Sequence, residues 1–149
     1  MKVVNTIQIT VFAKAQENKE QIVNTLKEFL PGDLEKEKVC IEETKAIGSD
    51  DSPVVIYKVL LSKDRHCNDI LHLFKEKLPA DQKQLLVRQL HSRLDEEFDF
   101  FLRLDKDALL NDHRYELTDG GHCFHFKLNI ACFPRKRATA EKVIREMFV

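Results

Sequence analysis

The segment from Phe98 to Lys106 limits the fold more than any other: Phe98, Phe100, Leu102 and Leu104 alternate with Asp99, Phe101, Arg103 and Asp105. A period of two sends successive side chains to opposite faces of an extended chain, so the spacing predicts a strand with one dry face. The stretch from Phe124 to Phe133 repeats the device, with Phe124, Phe126, Leu128, Ile130 and Cys132 on one side and His125, Lys127 and Asn129 on the other. The open face of such a sheet carries Arg103 and Lys127, and the second strand runs into the basic cluster Arg135-Lys136-Arg137 at the sheet edge. Phosphate backbones suit a surface of this kind. No set of residues specifies a reaction.

The same reasoning extends along the chain. Residues 5–14 alternate, with Ile7, Ile9, Val11 and Ala13 on one face. Asn18 followed by Gln21 is a variant of the capping box. The helix behind it places Ile22, Val23, Leu26, Phe29 and Leu30 at helical spacing until Pro31-Gly32-Asp33 stops it. Strands are expected over 38–46 and 54–61, parted by a loop dense in turn formers. The second is apolar on both faces apart from Lys58, which predicts a central strand or one covered on both sides. Helices follow from Asp64 and, after Pro79, from Ala80. Beyond the strand at 98–104, a turn is expected over 105–112 and a short strand over 113–118. Asp119-Gly120-Gly121 then reads as a hairpin turn into the strand at 122–133, and a last helix covers 138–148. The order β-α-β-β-α-α-β-β-β-α predicts an α+β fold in one domain, residues 1–149, with a mixed, mostly antiparallel sheet and helices gathered on one face.

At 149 residues the chain is long enough to bury a real core. No apolar run approaches the roughly 20 residues that cross a bilayer, and the N-terminus enters polar alternation directly, so a cytoplasmic protein without a membrane partner is expected. Net charge is −1, yet residues 134–149 hold five basic residues against two acidic ones, which leaves about −4 on the remainder. A local basic patch of this kind suffices for phosphate contact. Cys40, Cys67, Cys123 and Cys132 form no CxxC pattern and read as small apolar residues without disulfides.

Leu102-Arg103-Leu104-Asp105-Lys106, followed by Ala108-Leu109-Leu110 and the ending Ile130-Ala131-Cys132-Phe133-Pro134-Arg135-Lys136-Arg137, resembles an archaeal family described as RNA-binding or as a predicted exosome subunit. The opening Ile7-Gln8-Ile9-Thr10-Val11-Phe12-Ala13 and the helix from Leu85 to Asp95 fit it too, so the resemblance spans nearly the whole chain. It implies a fold similar to ribosomal protein L-five, which holds a small ribosomal RNA, and a homodimer as one mode of assembly. The family continues the LDK sequence with Gln and later a Gly, where this chain has Asp107 and Asn111. Asp107 puts a negative charge beside Lys106.

The reading that follows is a non-catalytic RNA-binding protein without cofactor, an accessory of RNA processing through an exosome or a member of a ribonucleoprotein. RNA phosphates would dock on Arg103, Lys106, Lys127, Arg135, Lys136 and Arg137. The plain alternative pairs Arg103 and Lys106 with Asp99, Asp105 or Asp107 and leaves 135–137 as a solvated loop. Phe101 and Phe133 fall out of phase with the buried faces. They either stack on unpaired bases or are covered by a loop, a helix or a second copy; burial against a second copy makes a homodimeric assembly module without RNA binding the runner-up. Alternation parts His122 from Cys123 and His125, which argues against zinc. Asp105, Asp107 and Asp112 leave a metal-dependent nuclease as the third reading, although aspartate also belongs in turns for its local hydrogen bonds.

Overall fold

A computed structural model describes residues 2–149. Five strands, β1 (Val4–Lys14), β2 (Glu42–Ile47), β3 (Pro53–Leu61), β4 (Asp99–Asp105) and β5 (Cys123–Ile130), form one sheet in the order β2-β3-β1-β5-β4. The helices are α1 (Lys19–Lys27), α2 (Leu34–Glu37), α3 (Asp64–Lys77), α4 (Ala80–Arg88), α5 (Leu90–Arg93), α6 (Lys106–Asp112) and α7 (Arg137–Met147). The α+β class holds, but every pairing of these strands is antiparallel, so the sheet is not mixed.

Alternation decides which face is dry. Ile7, Ile9, Val11 and Ala13 of β1 and Val55, Tyr57, Val59 and Leu61 of β3 are buried, as are Phe100, Leu102 and Leu104 of β4 and Phe124, Phe126, Leu128 and Ile130 of β5. These meet Ile22 and Leu26 of α1, Ile70 and Phe74 of α3, Leu86 of α4 and Ile144 of α7 in one core. Phe126 is met edge-on by Phe29 and Phe74, with centroids 5.0 and 5.1 Å apart, the arrangement that ring quadrupoles favour. The helices lie on this face and leave the other open. β3 is central in the pairing, but it is not covered on both sides, because Leu60 is 59% exposed on the open face. No described helix is long and apolar enough to cross a membrane.

Local chemistry explains where the elements begin. The Asn18 side chain accepts from the Gln21 amide at 3.1 Å and caps α1 as the sequence predicts. Asp33 does the same for Lys36 at 3.0 Å, which starts the unforeseen α2 and delays β2 to Glu42. The expected turn at 105–112 is a helix. Asp105 Oδ2 accepts from the Ala108 amide at 3.0 Å, and His113, in the left-handed region at φ 52°, closes α6. Residues 113–118 form no strand and touch the outer edge of β4 through the single bridge Leu104–Leu117. β5 therefore pairs with β4 across α6, and Asp119-Gly120-Gly121 leads into β5 without making a hairpin.

Candidate functional site

The open face is assembled by strand register. His125 lies opposite Thr10 of β1 and Arg103 of β4; Lys127 lies opposite Gln8 and Phe101. Arg103, His125, Lys127 and Phe101 thus form one cluster on β4 and β5, with the Phe101 and His125 rings 5.6 Å apart. The Arg103 guanidinium is steadied by the carbonyls of Asp119 and Gly120, to which it donates at 3.2 and 3.3 Å. Among the described residues neither Arg103 nor Lys127 forms an ion pair. Burial, and then the charges of Arg103 and Lys127, hold the His125 imidazole below its usual range. Two cations therefore converge on a neutral ring, and a bound anion would relieve both. The sequence puts His125 on the open face, but not beside Arg103, Gln8 and Thr10, because alternation assigns a face and not which strands are neighbours.

Lys106 does not belong to this surface. It is 2% exposed, and its Nζ donates to the Phe12 carbonyl at 2.6 Å and to both carboxylate oxygens of Glu17 at 3.1 and 3.2 Å. As the first residue of α6, it projects onto the end of β1 and ties the two together. Alternation itself points inward here: Lys106 stands in phase with the buried Phe100, Leu102 and Leu104, and only its charge speaks for the docking surface.

The basic edge divides in the same way. Arg135 is exposed, with its Nη2 3.4 Å from the Glu97 carbonyl and its guanidinium 5.0 Å from the Phe98 ring centroid. Phe98 itself sits at φ 66°, a region that bulky residues seldom adopt. Its turn is pinned by Asp95 Oδ1, which accepts from the amides of Glu97 and Asp99 at 2.9 Å each. Asn129 Nδ2 reaches the same Glu97 carbonyl at 3.4 Å, while its Oδ1 accepts from Asn5 at 2.9 Å. Asn129 thereby connects the open face to Arg135. Lys136 is exposed. Arg137 is committed within the fold: it donates to the carbonyls of His91 and Leu94 at 3.2 and 3.1 Å and pairs with Glu141 at 3.1 Å. Arg137→Ala is expected to cost about 1.5–3 kcal/mol of stability, as for other hydrogen bonds of charged groups. A lower urea midpoint at unchanged slope would show it, and an unchanged midpoint would refute it.

The metal and nuclease readings find no converging ligands in their residues. Cys123 is buried, and burial pushes its thiol up. His122 Nε2 is bonded to Asp107 at 2.8 Å, while His125 faces the open sheet. Asp105 caps α6 and Asp112 pairs with Arg114 at 3.6 Å. Of the described carboxylates that do gather, Asp95, Glu97 and Asp99, the first holds the turn and the third accepts from Asn129.

A model of a family described as RNA binding matches residues 6–130 of the chain. The chain belongs to this family. The matched span starts within β1 and ends with β5, so the RNA-binding family shares the whole sheet, whereas the basic edge and α7 lie beyond it. Archaeal proteins are among those with similar sequences and folds. The RNA-binding protein PAB1135 of Pyrococcus abyssi is 22% identical over 95% of this chain and 92% of its own length. An uncharacterized protein of Methanocaldococcus jannaschii, MJ0213, is 23% identical over 96% of this chain and 94% of its own. The solved structure of Mth689, a DUF54 protein from Methanothermobacter thermautotrophicus, has the same fold, with a TM-score of 0.80, 24% identity and coverage of 99% of each chain.

Proposed function

We propose that the protein binds RNA without catalysing a reaction, and that it docks RNA on the open face of the sheet as an accessory of RNA processing, at an exosome or in a ribonucleoprotein. One observation carries this reading: Arg103 and Lys127 flank His125 beside Phe101, on a face that no helix covers and where neither cation has a carboxylate partner. Membership of the RNA-binding family supports it, as does the named archaeal relative. Arg103 and Lys127 neutralise phosphates, the Phe101 ring offers a stacking surface, and Asn129 leads the backbone on to Arg135 and Lys136. Lys106 and Arg137 act in the fold instead. The resemblance to ribosomal protein L-five points to structured RNA, a stem–loop with accessible loop bases.

Titration of a labelled stem–loop tests the proposal. With about four phosphates neutralised, affinity should fall roughly fiftyfold between 50 and 200 mM salt. Absence of binding at low salt sinks it. The pH response is a second, sharper readout. The folded protein holds His125 below the ordinary value of 6.5. Between the folded value and 6.5 the unfolded chain binds more protons, so the stability tied to His125 is present above 6.5 and lost as pH falls through the folded value. A phosphate beside His125 reverses the preference and favours the imidazolium. RNA affinity should therefore rise as pH drops from 7 toward 5.5, and His125→Gln should flatten that rise.

A second reading has its own observation. Phe12 and Leu60 are 47% and 59% exposed on the same face, on β1 and β3, away from Arg103 and Lys127 though beside the exposed Lys58. A second copy packed there would make a homodimer, and sedimentation at 500 mM salt distinguishes the two: an apolar interface survives salt, and phosphate contacts do not.

A further inference from the structure

Where β1 begins and β5 ends, Asn5 opens onto a groove of about 850 Å³ between α3 and α7. Leu71, Val143 and Met147, all half-buried, form its floor. Lys75, Arg135 and Lys142 stand exposed around it and Lys2 adds a fourth cation, although Lys2 already pairs with Asp64 at 3.4 Å. Glu146 is the one carboxylate in the lining. Phe133, 95% exposed, stands at the lip, two residues before Arg135.

We propose that this groove receives a single-stranded, unpaired flank of the RNA whose folded part docks on the open sheet. The proposal rests on the RNA-binding reading above and extends it to a second, separate contact. The bases lie against Phe133 and the apolar floor; the phosphates meet Arg135, Lys142 and Lys75. Three features favour this occupant. The groove joins an apolar floor to a cationic rim, the combination by which proteins hold single strands, with aromatic stacking and backbone neutralisation acting together. A duplex keeps its bases stacked inside and has no use for an exposed phenylalanine or an apolar floor. Finally, the groove is continuous with the proposed docking face: Arg135 and Asn5 line it, and both reach Asn129 or its partner Glu97 on the sheet side.

The test uses three RNAs: a stem–loop alone, and the same stem–loop with a single-stranded extension at its 5′ or its 3′ end, about six nucleotides long, within the site sizes of single-strand binders. For the wild-type protein one extension should tighten binding about tenfold, as one stacked base and its phosphates do. The double variant Lys75→Glu/Lys142→Glu and, separately, Phe133→Ala should abolish that gain while the stem–loop alone binds as before. All three positions are exposed, so folding is preserved and circular dichroism confirms it. The groove proposal is overturned if neither extension adds affinity, or if the gain survives both variants. In those cases the stem–loop still binds and the docking face stands. Loss of binding to all three RNAs by the wild type removes both ideas together. An acidic peptide that binds the wild type but not the lysine variant, with no gain from either extension, would give the groove to a protein partner and likewise overturn the proposal.

Discussion

Replacing Lys106 by alanine is expected to destabilise the fold by about 3 kcal/mol, the low end of the range for removing one partner of a buried ion pair. The loss has two parts. The Phe12 carbonyl gives up its 2.6 Å bond to the ammonium, and the Glu17 carboxylate, still accepting the Lys14 amide at 3.0 Å, is left without its counter-charge. Urea denaturation of Lys106→Ala, Glu17→Gln and Lys106→Met/Glu17→Gln separates them, since the double variant removes both charges and should regain most of the loss. Acid adds a check. Burial pushes the Glu17 carboxyl up, but the Lys14 amide and Lys106 outweigh it and hold the group below its ordinary value of 4.5. Its contribution is therefore present above 4.5 and fades as pH falls through the folded value. Lys106→Ala should lose part of that acid sensitivity. A destabilisation below about 0.5 kcal/mol, the level of an ordinary surface change, would contradict the burial of this lysine and return it to the docking surface.

Reversing both cations of the open face has the opposite profile: binding collapses and the fold persists. For Arg103→Glu/Lys127→Glu we expect RNA affinity to fall at least a hundredfold at low salt, with the salt slope shallower by about 1.4, two phosphate contacts at 0.7 each. Stability should change by no more than about 1 kcal/mol, because Lys127 is unpaired and Arg103 gives up only two long bonds to loop carbonyls. The new carboxylates should also raise the His125 pKa, which NMR titration of the imidazole follows directly. A variant that binds stem–loop RNA like the wild type would take the site off this face and leave the apolar half, with its homodimer, as the better account.

The dry face of the sheet was legible because alternation is local. Phe100, Leu102 and Leu104 need no knowledge of their neighbours to be assigned inward, and the Asn18 cap with Gln21 marks a helix within four residues. Two things were not local. The first was the competition at Asp105: the same aspartate suits a turn and a helix cap, and Ala108-Leu109-Leu110 favoured the helix. Lys106, already in phase with the buried positions of β4, opens that helix, and residues 113–118 form no strand after it. The second was strand order. Alternation alone sends Arg103 and Lys127 outward, but that His125 lies between their charges, and that Asn129 hands the surface on to Arg135, depends on β4 and β5 being neighbours. Arg135, Lys136 and Arg137 look alike in sequence. Only the third donates to two carbonyls and pairs with a glutamate as well.

The central place of β1, between β3 and β5, sets a timetable. Val4 pairs with Ile130 and Gln8 with Lys127, so strands from opposite ends of the matched family region must meet before the open face is complete. A polypeptide leaving the ribosome builds the β2-β3-β1 half first, with one side of β1 bare, and the face that carries His125 and Lys127 is completed only when β5 emerges. Pairings so distant in sequence are slow to close, and a bare strand edge invites the wrong neighbour while it waits. A half-made chain therefore lacks this face, and until β5 arrives the edge of β1 stays open to pairing with another copy.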